Sequence, residues 1–298
     1  MEIGFVGAGG MGAGIAANLV KSGHTLKVWN RSPEPVHRLV ALGAAQAASA
    51  KEAFDADVVF SMLADDDVIE TVIVASGALD GARRGMVHAN LATVSPAFAG
   101  RLAELHRSRG LGYVATPVLG RPDVAAAGQL NVLLAGPADH AERVRPLLGA
   151  FAKAVWPLGE DPARANVVKL ACNFALASMI ETLGEAAALT SAWGVAPRDV
   201  FEVMTSTLFA APAYKTYADI IAAARFSPPG FSLPLGMKDV RLALQAGEAR
   251  ATPLPIASLL RDQFIAAIAH GDGDKDWSAI AAGAFRNAGR PLIGGQTE

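Results

Sequence analysis

The feature that most constrains this chain is a glycine-rich turn near its beginning. Gly7-Ala8-Gly9-Gly10-Met11-Gly12 follows the apolar run 3–6 directly and opens a helix-like stretch over residues 12–22. Each glycine has a physical task in such a strand–turn–helix unit. Gly7 permits the tight turn, Gly9 lets a diphosphate approach the backbone, and Gly12 lets helix and strand pack closely. The unsatisfied N–H groups of the helix's first turn then face the phosphate charge. A bare G-x-G-x-x-G recurs by chance, so the strand before and the helix after give it its weight. Residues Gly7, Ala8, Gly9, Gly10, Met11 and Gly12 are therefore the expected cradle of a dinucleotide.

The first half continues the alternation. Runs 26–29, 58–62, 86–89 and 113–115 read as strands, 33–42 and 96–109 as helices, and 131–134 and 155–158 as further strands. Strand, helix, strand at this spacing implies right-handed crossovers and a parallel sheet. From residue 162 the strand signals stop. Stretches 166–193, 197–205, 236–246, 255–270 and 276–285 read as helices, with turns at 226–230 and 252–255. The expected fold class is α/β. A Rossmann-like doubly wound sheet (residues 1–161) is followed by an all-α substrate and oligomerisation domain (162–298), the two joined by a long helix. A length of 298 residues suits two domains of about 150 each.

The second strand ends at Trp29-Asn30-Arg31-Ser32. A site selective for NAD usually carries Asp or Glu here, accepting from both ribose hydroxyls. None is present. Arg31 can pair with a 2′-phosphate, with Asn30 and Ser32 adding hydrogen bonds, so NADP(H) is preferred over NAD(H). The other reading of Arg31 is a solvated surface arginine.

Composition excludes several alternatives. With 26 Lys and Arg against 28 Asp and Glu, the net charge is −2, which gives no electrostatic reason to expect nucleic acid or an anionic membrane as partner. The single Cys172 forms no internal disulfide, and the histidines show no metal-ligand spacing, so no metal is expected. Asp272, Asp274 and Asp276 alternate like a calcium loop, but Trp277 and Gly283 replace its glycine and its glutamate. Asp276 suits a helix N-cap instead. Glu2 stands where a secretory signal carries basic charge, and no other run reaches the ~18 uninterrupted apolar residues of a span. A soluble, cytoplasmic protein is the expectation.

Beyond the glycine turn, four further segments resemble the β-hydroxyacid dehydrogenase family, which includes 3-hydroxyisobutyrate dehydrogenase and the glyoxylate/succinic semialdehyde reductases. Met62-Leu63 matches the family's cofactor loop after the fourth strand, although the usual proline is Ala64. Thr93-Val94-Ser95-Pro96 matches the segment beside the nicotinamide. Lys238-Asp239 matches its Lys-Asp signature, whose lysine lies near the cofactor. In residues 163–173 the family's lysine and asparagine are kept as Lys169 and Asn173, while its two glycines are Ala163 and Ala165. The resemblance also implies a 6-phosphogluconate dehydrogenase-like C-terminal domain and a homodimer or homotetramer.

The pair is supported independently, because positions i and i+4 share a helix face. The mostly apolar run 167–180 would partly desolvate Lys169; the competing reading is a lysine snorkelling at a helix edge. The substrate loop departs most. Where the family has Ser-Gly-Gly holding the substrate carboxylate, this chain has Leu119-Gly120-Arg121. Leu119 cannot donate, and Arg121 either takes over the carboxylate or faces solvent. Ser95, Leu119, Gly120, Arg121, Lys169 and Asn173 are the expected substrate contacts.

The expected activity is hydride transfer between the nicotinamide and a small carbonyl or hydroxy compound, with Lys169 as acid/base and Asn173 beside it. An imine reductase is the nearest alternative, although those enzymes usually carry Asp or Tyr in place of the lysine. A non-catalytic cofactor-sensing protein is the alternative of another class.

Overall fold

Runs that are apolar on both faces become inner strands of a parallel sheet, because helices cover both sides. The protein was analysed as a computed structural model that describes residues 1–291. It divides into two compact units, Met1–Lys169 and the chain from Leu170 onward. The first unit opens with β1 (Glu2–Val6), α1 (Gly10–Lys21), β2 (Thr25–Trp29), α2 (Pro33–Val40), β3 (Ala45–Gln46), α3 (Ala50–Phe54), β4 (Val58–Ser61) and α4 (Asp66–Ile69). It continues with β5 (Val87–Asn90), α5 (Pro96–Arg107), β6 (Gly112–Ala115), β7 (Val118–Leu119), α6 (Pro122–Ala126), β8 (Leu130–Leu134), α7 (Ala138–Leu148) and β9 (Ala152–Pro157).

Six strands form one sheet in the order β3-β2-β1-β4-β5-β6, every pair parallel. The sheet is doubly wound, the class expected. The direction of winding reverses between β1 and β4, and the crevice outside their carboxyl ends is where such sheets bind ligands. The runs expected as strands at 131–134 and 155–158 build a second sheet instead: β8 pairs with β9 in parallel and with β7 antiparallel. Successive side chains of each strand enter opposite layers. Phe5 and Phe60 face Ile15 and Leu19 of α1, whereas Val6 and Val59 face Phe54 and Leu102.

The second unit is helical. It comprises most of α8 (Pro162–Ala192), α9 (Pro197–Ser206), α10 (Pro212–Ala222), α11 (Leu233–Glu248), α12 (Pro255–Ala269), a 3-10 turn (Trp277–Ile280) and α13 (Ala281–Asn287). Proline opens α8, α9, α10 and α12, where its missing N–H costs nothing. Helix α8 starts four residues before the predicted 166, at Pro162, and α10 has no counterpart in the sequence reading. The core gathers Ile180, Leu183, Phe264, Trp277 and Phe285. Gly184 allows the closest approach, since a Cβ there would lie 2.6 Å from Ala281 Cα. The expected cap is present: Asp276 Oδ1 accepts from Ser278 N, and its Oδ2 accepts from Gly230 N and Phe231 N.

By length and composition α8 could cross a membrane, but half of its most apolar window is buried inside the protein. That window is interrupted by a buried acid. Glu181 is 5% exposed, and its Oε2 has no hydrogen-bond partner. Burial, with a smaller push from the Glu185 carboxylate, raises its carboxyl to about 7. A group whose folded value is raised stabilises fully below its unfolded value and loses that contribution as pH rises through the folded one. Glu181→Gln is therefore expected to gain stability over the parent between pH 5 and pH 8, by up to roughly 3 kcal/mol. Melting temperatures of both proteins across that range check this, and parallel profiles would refute it.

Candidate active site

The turn after β1 has the backbone its glycines permit. Gly7 adopts φ +97°, and its N–H donates to Trp29 O at 2.9 Å. A Cβ at Gly7 would sit 2.3 Å from Met62 O, and one at Gly12 only 1.9 Å from Gly7 O. A Cβ on Gly9 or Gly10, by contrast, would meet nothing within 4 Å, so that side of the turn is open. Gly9 caps α1 without a side chain, leaving the first-turn N–H groups of Gly10, Met11 and Gly12 without helical acceptors. Ala8 is buried, and its N–H donates to Asn30 Oδ1 at 3.0 Å. An open, glycine-walled cradle with unsatisfied donors fits a dinucleotide diphosphate.

The three residues at the end of β2 differ in their surroundings. Asn30 braces the turn, accepting from Ala8 N and donating to Ser32 O at 2.9 Å. Ser32 caps α2 without a side-chain bond, and both Ser32 and Arg31 are exposed.

Two loops follow the next strands. Met62 and Leu63 are half-buried, with Met62 N bonded to Val6 O at 2.9 Å. Asp65 caps α4 by accepting from Val68 N. Asp66 reaches across to the loop after β5, where it accepts from Ser95 N at 3.1 Å and from Ser95 Oγ at 2.6 Å. Ser95 Oγ in turn accepts from Phe98 N and so caps α5. The one hydroxyl proton of Ser95 therefore goes to Asp66. Thr93 is half-buried in the same loop.

Beneath the loop lies a buried polar chain. His106 Nδ1 is 2.7 Å from Leu102 O, His88 Nδ1 is 3.0 Å from His106 Nε2, and Ser61 Oγ is 2.7 Å from His88 Nε2. With both rings neutral, His106 donates to Leu102, since a carbonyl only accepts, His88 then donates to His106, and Ser61 gives its one proton to His88 Nε2 at 2.7 Å in preference to Asn90 Oδ1 at 3.2 Å. Burial agrees, holding His88 well below its ordinary value and His106 at about 4.

The start of α8 is tied to this loop. Asn166 is 1% exposed, and its Oδ1 accepts from Val94 N at 3.3 Å. Lys169, one turn later on the same face, is 8% exposed. The substrate-loop residues belong to the same unit. Leu119 pairs with Asn131, Gly120 takes φ +149° with a Cβ position 2.5 Å from Leu130 Cδ2, and Arg121 is half-buried at the N-terminal boundary of α6. The helix that follows Arg121 packs on α1, where Asn18 donates to Ala125 O at 2.9 Å.

In the second unit, Asn173 is buried and donates to Asp239 Oδ2 at 2.5 Å. Asp239 is itself 2% exposed, and Lys238 Nζ lies 3.1 Å from its Oδ1. Cys172 is a half-buried free thiol. Among the described residues no group of three His, Cys, Asp or Glu side chains could hold a metal. Sequence reasoning gave no role to Asp66, Asn166 and Asp239. The last two lie inside motifs already singled out, one turn before Lys169 and next to Lys238.

Two family models cover nearly the whole chain. The NAD binding domain of 6-phosphogluconate dehydrogenase matches residues 2–159, and the NAD-binding domain of NADP-dependent 3-hydroxyisobutyrate dehydrogenase matches residues 163–283. The Bacillus subtilis protein named uncharacterized oxidoreductase YfjR is 38% identical over 94% of this chain and 98% of its own length. The NAD-dependent L-serine dehydrogenase of Pseudomonas aeruginosa is 32% identical over 94% of this chain and 96% of its own. Among solved structures, the Mycobacterium tuberculosis 3-hydroxyisobutyrate dehydrogenase with L-serine superposes with a TM-score of 0.84 at 30% identity, covering 94% of this chain and 97% of that one. Glycine turn, sheet order and full-length relatives agree, and the chain belongs to the β-hydroxyacid dehydrogenase family as an NAD(P)-dependent oxidoreductase acting on CH–OH groups.

Proposed function

We propose that this enzyme interconverts a small 3-hydroxy acid and the corresponding carbonyl acid, prefers NADP(H), and uses Lys169 as its acid/base. When bound, the nicotinamide supplies hydride to the carbonyl carbon or removes it from the alcohol carbon. Lys169 supplies the other half of the reaction. Its ammonium stabilises the negative charge that develops on the substrate oxygen and delivers the proton; in oxidation the neutral amine takes that proton back. The observation that carries this assignment is the Asn166–Val94 bond. It ties the face of α8 that bears Lys169 to the loop containing Thr93, at the carboxyl edge of the sheet. Asn173 follows Lys169 on that face, and Asp239 fixes the direction of its amide.

Substrate class follows from the relatives, since the Pseudomonas enzyme is named for L-serine and the mycobacterial structure holds L-serine. Leu119 stands where the family resemblance implies a serine donor, and Arg121 is the candidate carboxylate partner, by bidentate pairing. The cofactor preference rests on Arg31, exposed at the end of β2 where no carboxylate is present.

A panel of 3-hydroxy acids, aldehyde acids and cyclic imines, read by nicotinamide absorbance with NADPH, NADP, NADH and NAD, tests this. Turnover is expected on the acids and not on the imines, with NADP(H) favoured. Arg31→Asp should move the kcat/KM ratio toward NAD(H) tenfold or more, as loss of a charge-assisted phosphate contact implies. A parent enzyme that favours NADH would overturn the cofactor preference, and one that turns over only imines would overturn the substrate class.

A further inference from the structure

The second unit contains a cavity of about 430 Å³ lined in part by Ser191, Val195, Arg198, Ala222, Phe285 and Arg290. None of the residues assigned above to catalysis lines it. Its walls join the C-terminal end of α8, the N-terminal end of α9, the last turn of α10 and the end of α13. Three observations bear on what it takes. First, among the described residues its lining carries two guanidiniums, Arg198 and Arg290, and no carboxylate, and neither arginine forms an ion pair with a described residue. Second, Ser191 Oγ is buried without a hydrogen-bond partner. A hydroxyl so placed is ordinarily satisfied, so its orphan state marks a position for a polar atom. Third, Val195, Ala222 and Phe285 give the rest of the wall an apolar character.

A polar hydroxyl, a pair of arginines at the rim and an apolar wall describe a ligand with one anionic end and a short apolar body. We propose that this cavity binds a small organic anion, a carboxylate or a phosphate monoester, at a site separate from the catalytic residues. Arg198 and Arg290 hold its charged group, Ser191 adds a hydrogen bond, and Phe285 and Val195 cover its alkyl part. The site has a route to the chemistry. Ser191 and Asn173 lie on the same helix, about 27 Å apart at 1.5 Å per residue, so an occupant acts on the far end of the element that carries Lys169 and Asn173.

Calorimetric titration of the full chain with hexanoate, hexyl phosphate and hexanol tests this. One saturable site is expected for at least one of the two anions, with hexanol at least tenfold weaker. The stronger anion identifies the headgroup. In Arg198→Gln/Arg290→Gln that affinity should fall at least tenfold. Both side chains are exposed, so melting temperature and basal turnover should remain at parental values. Absence of binding by both anions, or equal affinity in the double variant, would overturn the proposal; the latter result would place the anion at the substrate's own site.

Discussion

Lys169→Ala will lower kcat by roughly 10²–10⁴-fold, the range that general acid–base groups contribute, while cofactor affinity stays near parental. The expectation follows from where the residue stands. Lys169 is 8% exposed on a helix anchored to the loop after β5 by the Asn166–Val94 bond. In the proposed mechanism, removing the ammonium deletes a charge next to the reacting oxygen and leaves the Asn166–Val94 bond in place. Lys169→Met keeps most of the apolar stem and serves as the control for packing. If both variants lose turnover alike while their melting temperatures differ, the loss is chemical. Turnover within tenfold of the parent in a folded Lys169→Met would mean that another group moves the proton. Asn173 should behave differently. Its amide is oriented by Asp239, so its loss changes KM as well as kcat, through misdirected substrate.

What the sequence discloses and what it conceals divide along one physical line. The glycine turn, the parallel character of the first sheet and the helical second half are written in local patterns: a backbone conformation that glycine favours, apolar runs of strand length, and amphipathic runs of helix length. The misses are non-local. Strands β8 and β9 were legible as strands, but nothing in an apolar run states its partner, and they pair with each other and with the two-residue β7 rather than with the main sheet. Asp66, Asn166 and Asp239 became visible only through partners 29, 72 and 66 residues distant in sequence. Nothing local to Asp66 or Ser95 announces the bond that joins them. Helix α10 was missed because Pro212 opens it soon after α9, in a stretch that otherwise resembles a linker.

Gly9→Ala and Gly12→Ala should separate two functions that the glycine motif combines. At Gly12 the added methyl would lie 1.9 Å from Gly7 O and 3.2 Å from Phe5 Cε1. The obstruction at Gly7 is backbone, which cannot rotate away, so α1 must move off β1 and the fold is expected to lose stability by several kcal/mol, above the ~1–3 kcal/mol usual for overpacking. At Gly9 the methyl meets no protein atom within 4 Å, so the free enzyme should melt as the parent does. The same methyl would occupy the open space proposed as the approach of the diphosphate to the first-turn N–H groups of α1. Loss of two charge-assisted hydrogen bonds of ~1.5–3 kcal/mol each predicts at least a hundredfold weaker cofactor binding. Melting curves with and without NADP read both effects at once. Gly12→Ala should melt early in either condition. Gly9→Ala should melt normally when free and lose the stabilisation that the nucleotide gives the parent, because a ligand raises stability only as far as it prefers the folded state. Parental NADP affinity in Gly9→Ala would remove the diphosphate from this turn.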